Sequence, residues 1–169
     1  MKKSLYILGN LEDRDLIWMA SVGSARQVEP GDMLIKAGEP LTDLFFVIEG
    51  KFAIVSDGKG EIAKIGIGDV LGEMSFVEKR SPSVSVRAVD AARVLAVSRD
   101  TLLAEFDHNE GFAARFYLAL AVFLSDRLRS MTGGTVEGEV ENELDEGILD
   151  NLHVAGDRML RLIDLLDGR

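Results

Sequence analysis

The sequence predicts a mainly β protein with helices: an antiparallel β-barrel or sandwich flanked by N-terminal and C-terminal helices. Three observations predict it. Short apolar runs, each about one strand long, recur at close intervals between residues 26 and 97. Clusters of glycine, proline, aspartate and lysine separate them. Outside that stretch the apolar spacing changes to threes and fours, the signature of a helix face.

Taken in order, a polar leader is followed by a short helix predicted from Leu11 to Ala20. Asn10 is placed to cap it, and Glu12 and Asp13 bring acid to its first turn. Ile17, Trp18 and Val22 are expected to pack on the barrel. Strands are predicted at Arg26–Val28, Met33–Lys36, Leu44–Ile48, Phe52–Val55 and Ile62–Ile65, with the last at Ala92–Val97. Pro30-Gly31-Asp32, Gly38-Glu39-Pro40, Glu49-Gly50-Lys51 and Asp57-Gly58-Lys59-Gly60 are the turns between the first five.

After Ser98 a short helix is predicted over Arg99–Phe106, and Asn109 caps a longer one through Met131. The long helix carries two apolar stripes. Phe112, Phe116, Ala119 and Phe123 make one; Tyr117, Ala121, Leu124, Leu128 and Met131 make the other. A helix apolar on two sides is covered on two sides. The barrel accounts for one stripe, and a second copy of the helix or a deep groove in the same chain accounts for the other.

Beyond Met131 the spacing predicts three parts: a domain over 1–131, an acidic linker over 132–143, and an amphipathic helical tail over 144–169. Ile148, Leu152, Ala155, Met159, Leu162 and Leu166 form the tail's apolar row. A helix that docks a partner and a helix folded back on its own domain both fit that row.

One stretch interrupts the strands. Gly66, Gly68 and Gly72 fall within seven residues, followed by Glu73-Met74-Ser75-Phe76, about one helical turn. Glycine permits positive φ and close approach of a ligand to the backbone, and the free amides of a helical turn suit an anion. Ser83, Ser85 and Arg87 then alternate with Val84, Val86 and Ala88. Strand, glycine turn, helical turn and strand make a phosphate cradle; a tight barrel corner without a ligand would use the same residues.

Gly72, Glu73, Met74 and Phe76, with Ser83, Val86 and Ala88 after them, make a pattern that resembles the phosphate-binding cassette of cyclic nucleotide-binding domains. This is the family of catabolite activator protein and the protein kinase A regulatory subunit. Val28 to Leu34, Gly38-Glu39-Pro40 and Phe46 to Gly50 also look like the family's opening strands, so the resemblance covers about residues 10 to 130. It implies a jelly-roll (double-stranded β-helix) barrel. It further implies that Glu73 binds a ribose 2′-hydroxyl and that the amides near Ser75 hold a cyclic phosphate. The family places a phosphate-binding arginine where this chain has Pro82. Arg80, two residues upstream, is within reach of the same phosphate, and also reads as a solvated loop charge. The expected ligand-binding set is Gly72, Glu73, Met74, Ser75, Arg80, Pro82, Ser83, Val84 and Ser85. Glu73 also reads as a brace for the turn.

Composition narrows the function. At 47% hydrophobic and 28% charged, 169 residues can supply a packed core and a charged surface. With no cysteine, disulfides and cysteine zinc sites are excluded, which fits a cytoplasmic location. Met1-Lys2-Lys3 precedes too short an apolar run for a secretory signal, and Phe116–Leu124 falls far below the roughly 20 residues of a membrane span. Net charge is −10, and the residues from Thr132 onward carry ten acids against Arg158, Arg161 and Arg169. Such a chain has no electrostatic footprint for nucleic acid. In the transcription-factor branch of the resembling family a helix-turn-helix domain follows the long helix; here about 38 residues follow Met131, acidic on balance and too few for a winged helix of the usual size.

Catalytic patterns are missing. His108 and His153 have no ligand partner at metal spacing, and no nucleophile elbow, HExxH or P-loop occurs. The expectation is therefore a non-catalytic, dimeric regulatory module without a cofactor, sensing cAMP or cGMP. A protein partner through the tail is allowed; nucleic acid and membrane are not expected. The alternative is a member with an empty pocket, acting as a dimeric interaction scaffold.

Overall fold

The computed structural model describes residues 6–131 and 146–168. Two four-stranded antiparallel sheets carry the fold. The first runs β1 (Ser24–Val28), β8 (Ala92–Ser98), β3 (Asp43–Glu49) and β6 (Val70–Leu71); the second runs β2 (Met33–Ile35), β7 (Ser85–Ala88), β4 (Phe52–Ser56) and β5 (Gly60–Ile65). This is the jelly-roll architecture. Its ladders run within each sheet, so the expected barrel takes the form of two packed sheets. Helices α1 (Tyr6–Asn10) and α2 (Asp13–Val22) precede them, α3 (Glu73–Glu78) sits between β6 and β7, and α4 (Arg99–His108), α5 (Glu110–Met131) and α6 (Glu146–Asp167) follow.

Strands β3 and β8 are mostly apolar, at Leu44–Ile48 and Val94–Val97, because both of their faces are covered there. Phe45, Val47, Val94 and Ala96 join Phe52, Leu71 and Val86 in the core between the sheets. Leu44, Phe46, Ile48, Leu95 and Val97 face the other way, onto the helices. Gly50 turns the chain from β3 to β4 at φ 82°, and a Cβ there would lie 2.6 Å from that of Ala92, so the turn needs glycine.

Three local expectations change. The leader is not featureless: it holds α1, whose five residues are too few for a periodic signal. α2 starts two residues later than Asn10 would place it. Glu12 occupies the cap position, and its N–H donates to the Asp15 carboxylate at 2.8 Å. Its buried face is Leu16, Met19 and Ala20, packed into the helical core, while Ile17 and Val22 are exposed. Trp18 remains at the core edge, T-shaped against Phe112 at 5.5 Å.

Asn109 caps α5 as its position predicts, accepting the Phe112 N–H at 3.0 Å. Phe112, Phe116, Ala119 and Phe123 are buried. Arg115 of α5 makes a fork on Asp15 of α2, two bonds of 2.8 Å each, with Asp15 almost fully buried. The second stripe is different. Tyr117 is 44% exposed and Leu128 62%, Ala121 is exposed, and Leu124 is half-buried against the core. Among the described residues no groove covers it.

The tail folds back. Ala155, Met159, Leu162 and Leu166 of α6 are buried in the cluster that holds Leu8, Leu11 and Leu16. Of the two expectations for the tail, this arrangement is the second: the described part of its apolar row is occupied by the chain's own domain. The linker 132–143 and the side chains of Met131, Ile148 and Leu152 lie outside the described residues. Among the described residues no helix is long and apolar enough to cross a membrane.

Candidate functional site

The site begins where β6 ends. Gly72 caps α3 at φ 87°, and a Cβ there would lie 2.8 Å from Leu41 Cδ2 and 3.2 Å from the Asp43 carbonyl. Only glycine suits that corner. The turn directs Glu73 inward and starts α3, with the Phe76 N–H closing on the Gly72 carbonyl at 2.9 Å. At the far end Lys79 ends α3 in the left-handed region, φ 58°. The chain then returns along the opposite wall, where the Pro82 carbonyl accepts the Gly38 N–H at 2.8 Å.

A cleft of about 220 Å³ lies between these walls, open on one side. Gly72, Glu73, Met74, Ser75, Arg80, Pro82, Ser83 and Val84 all line it. Ser85 does not. Its hydroxyl accepts the Ala37 N–H at 3.0 Å, holding the segment after β2 against β7. Apolar side chains floor the cleft: Ile35, Ile54 and Val86 from the second sheet and Leu71 from the first. Arg80 and Ser83 are exposed at the wall, Pro82 and Val84 half-buried. Arg80 has no ion-pair or hydrogen-bond partner among the described residues.

Glu73 is 4% exposed. Its carboxylate is met by Arg127 of α5, a hydrogen-bonded ion pair, and Arg127 also lines the cleft. Burial pushes the Glu73 carboxyl above its ordinary value, against the opposing pull of the Arg127 charge. The guanidinium of Arg127 stands 5.9 Å from the centre of the Phe123 ring, a cation–π arrangement that fixes its approach. Sequence reasoning missed Arg127. It lies 54 residues from Glu73, and nothing in its spacing separates it from a solvated helix charge.

The cleft thus combines an apolar floor, a buried carboxylate, hydroxyls of Ser75 and Ser83, and two guanidinium groups. Such a set accepts a compact ligand with one apolar face, a hydroxyl for the carboxylate, and an anionic group for Arg80. His108 and His153 lie elsewhere: His108 Nδ1 donates to the Ala104 carbonyl at 2.8 Å, and no cluster of three metal-ligating side chains occurs among the described residues.

Comparison with known proteins bears on the family and the fold. The family model for the cyclic nucleotide-binding domain matches residues 25–109. The chain is 29% identical over 119 residues to the potassium voltage-gated channel protein eag of Drosophila melanogaster, covering 69% of this chain and 10% of the channel. It is 26% identical over 97 residues to the cAMP-dependent protein kinase regulatory subunit of Debaryomyces hansenii, covering 57% of this chain and 22% of that one. The chain therefore spans less than a quarter of either relative. Among solved structures, a cyclic nucleotide-binding domain from Methylobacillus flagellatus superposes with a TM-score of 0.70 at 21% identity, covering 84% of this chain and 85% of that one. At that identity the likeness is one of fold.

Proposed function

The chain belongs to the cyclic nucleotide-binding domain family, and from that premise we propose that it is a non-catalytic regulatory module whose cleft takes cAMP or cGMP. Glu73 accepts the ribose 2′-hydroxyl, the amides of the first turn of α3 and the Ser83 hydroxyl face the cyclic phosphate, and Arg80 supplies the charge that the family takes from the position of Pro82. The apolar floor of Ile35, Ile54, Leu71 and Val86 packs the ring system. One observation carries this reading: eight of the nine residues expected to bind ligand line a single cleft, and one of the eight, Arg80, has a guanidinium with no partner among the described residues. Binding needs such preorganised groups more than it needs volume.

The signal leaves through α5, which touches the site with Arg127 and carries the exposed stripe of Tyr117, Ala121, half-buried Leu124 and Leu128 on its other side. Met131 continues the same spacing. Leu118 and Val122, 56% and 37% exposed, widen that stripe. A second copy of α5 is its proposed occupant, since two identical apolar stripes cover one another in a two-fold dimer. The proposed location is cytoplasmic.

The reading is tested by displacing a fluorescent cyclic nucleotide with cAMP, cGMP and linear 5′-AMP. The two cyclic compounds are expected to compete and the linear one to compete at least tenfold less well. Two observations favour the alternative of an empty scaffold: Pro82 at the arginine position, and Arg127 already on Glu73. A dimer that takes up no cyclic nucleotide would establish it.

A further inference from the structure

Among the described residues, the polar contacts of the α6 side chains fall on the N-terminal helices and on β8. Arg158 donates from Nη1 to the carbonyls of Leu8 and Gly9, at 3.0 and 2.8 Å, and from Nε to Asp13 at 3.3 Å. Arg161 pairs with the same Asp13. At the other end Arg93 of β8 donates to Asp167 at 2.7 Å, while its Nε and Nη2 are buried with no partner among the described residues. The apolar row of α6 favours docking; those two orphaned donors oppose it. Asp13 and Asp167 are each about half exposed, at 51% and 55%, so water can replace their pairs at small cost.

The five residues of α1 are too few to stay helical on their own, so what covers α1 keeps it folded. It packs on α5 and α6 together. Leu8 of α1 shares a buried cluster with Phe123 of α5, the ring of Phe123 stands beside Arg127, and Arg127 holds Glu73. The packing of α1 on both α5 and α6, their shared buried cluster and the Phe123–Arg127–Glu73 contacts thus link α6 to the wall of the cleft.

We propose that α1 and α6 form a strap that docks and releases as one unit, and that the Glu73–Arg127 pair governs its docking. With Arg127 on Glu73, α5 is fixed against α1, and Arg158 closes the last carbonyls of α1 under α6. When Arg127 leaves Glu73, α5 loosens at that end, α1 loses one of its two supports, and α6 leaves with it. Release uncovers Leu11 and Leu16 and frees Arg93. The inference rests on the functional reading above only for its trigger, a ligand hydroxyl that competes for Glu73.

Hydrogen exchange with mass spectrometry on the full chain, free of ligand, tests it. In the wild type, residues 153–167 and 6–10 are expected to exchange together and faster than β3 and β8. Arg158→Ala should speed both segments at least tenfold and leave β3 and β8 unchanged. Glu73→Gln, which removes the charge that holds Arg127, should speed both at least threefold. Asp167→Asn serves as a milder release of α6 if Arg158→Ala also loosens the strands. An α1 that keeps its protection while α6 is released, or an α6 indifferent to Glu73→Gln, overturns the proposal. Since no nucleotide is present, failure of the displacement assay counts against the functional reading alone.

Discussion

Arg127 of α5 pairs with Glu73 of α3, so the residue expected to bind ligand already holds a helix that crosses the domain. Any ligand that uses the Glu73 carboxylate competes with that guanidinium. The site and the helix that leaves it are therefore one electrostatic unit.

The burial of Glu73 makes a pH signature. Its carboxyl is shifted upward in the folded protein from an ordinary value of 4.5, chiefly by desolvation. A group whose folded pKa lies above its unfolded one binds more protons when folded. Its contribution is therefore fully present below the ordinary value and lost as pH rises through the shifted one. Denaturant unfolding of wild type and Glu73→Gln across pH 4 to 8 measures this. The stability of the variant relative to wild type is expected to rise with pH in the window above 4.5; a constant difference would refute the shift.

Gly72→Ala tests the corner that starts α3. At φ 87° a Cβ meets both Leu41 and the Asp43 carbonyl, and the left-handed backbone adds roughly 1–2 kcal/mol for any L residue. The melting temperature should fall by about 3–8 °C, and ligand affinity should fall with it because Glu73 is the next residue. An unchanged melting curve would show that the corner relaxes freely.

The exposed stripe of α5 predicts assembly. Ala121→Asp places a charge at the middle of the expected dimer seam, where desolvation without a partner is costly. Light scattering should report a dimer for the wild type and a monomer for the variant. A monomeric wild type would refute the dimer, and a dimeric variant would move the interface elsewhere.

Much of the fold was legible in the sequence, and the reason lies in particular residues. Leu44–Ile48, and Ala92–Val97 apart from Arg93, are apolar because β3 and β8 are covered on both faces, and Gly50 marks the turn after the first of them. The cassette was legible because Gly72 has to be glycine and because its walls are close in sequence. What stayed hidden depends on distance along the chain. β6 has two residues and exists only through its pairing with Phe45 and Phe46 of β3. Arg127 reaches Glu73 across 54 positions, and Arg158 reaches Asp13 across 145. No spacing rule links such pairs. Ser85 was expected in the site because strand alternation puts it on the face of Ser83, but β7 begins at Ser85 and its hydroxyl turns to Ala37.

Arg80 and Pro82 form a pair that can be tested by non-additivity. A charge-assisted contact to phosphate contributes about 1.5–3 kcal/mol, a factor of roughly ten to a hundred in affinity. Arg80→Ala should cost that factor in the wild type. Pro82→Arg should raise affinity, offset in part by the freedom that loss of proline returns to the turn. In the Pro82→Arg background, Arg80→Ala should then matter far less. Equal losses in both backgrounds would show that Arg80 does not replace the family's arginine.

The central claim is that the cleft binds a cyclic nucleotide through Glu73, and isothermal calorimetry measures it most directly. Titrating cAMP and cGMP into the wild type and Glu73→Ala should give saturable binding of at least one nucleotide to the wild type. In the variant, binding should be weaker by roughly ten- to a hundredfold, the worth of one hydrogen bond to a carboxylate, while circular dichroism shows both proteins folded. No heat with either nucleotide, or equal affinity in the two proteins, would contradict the account.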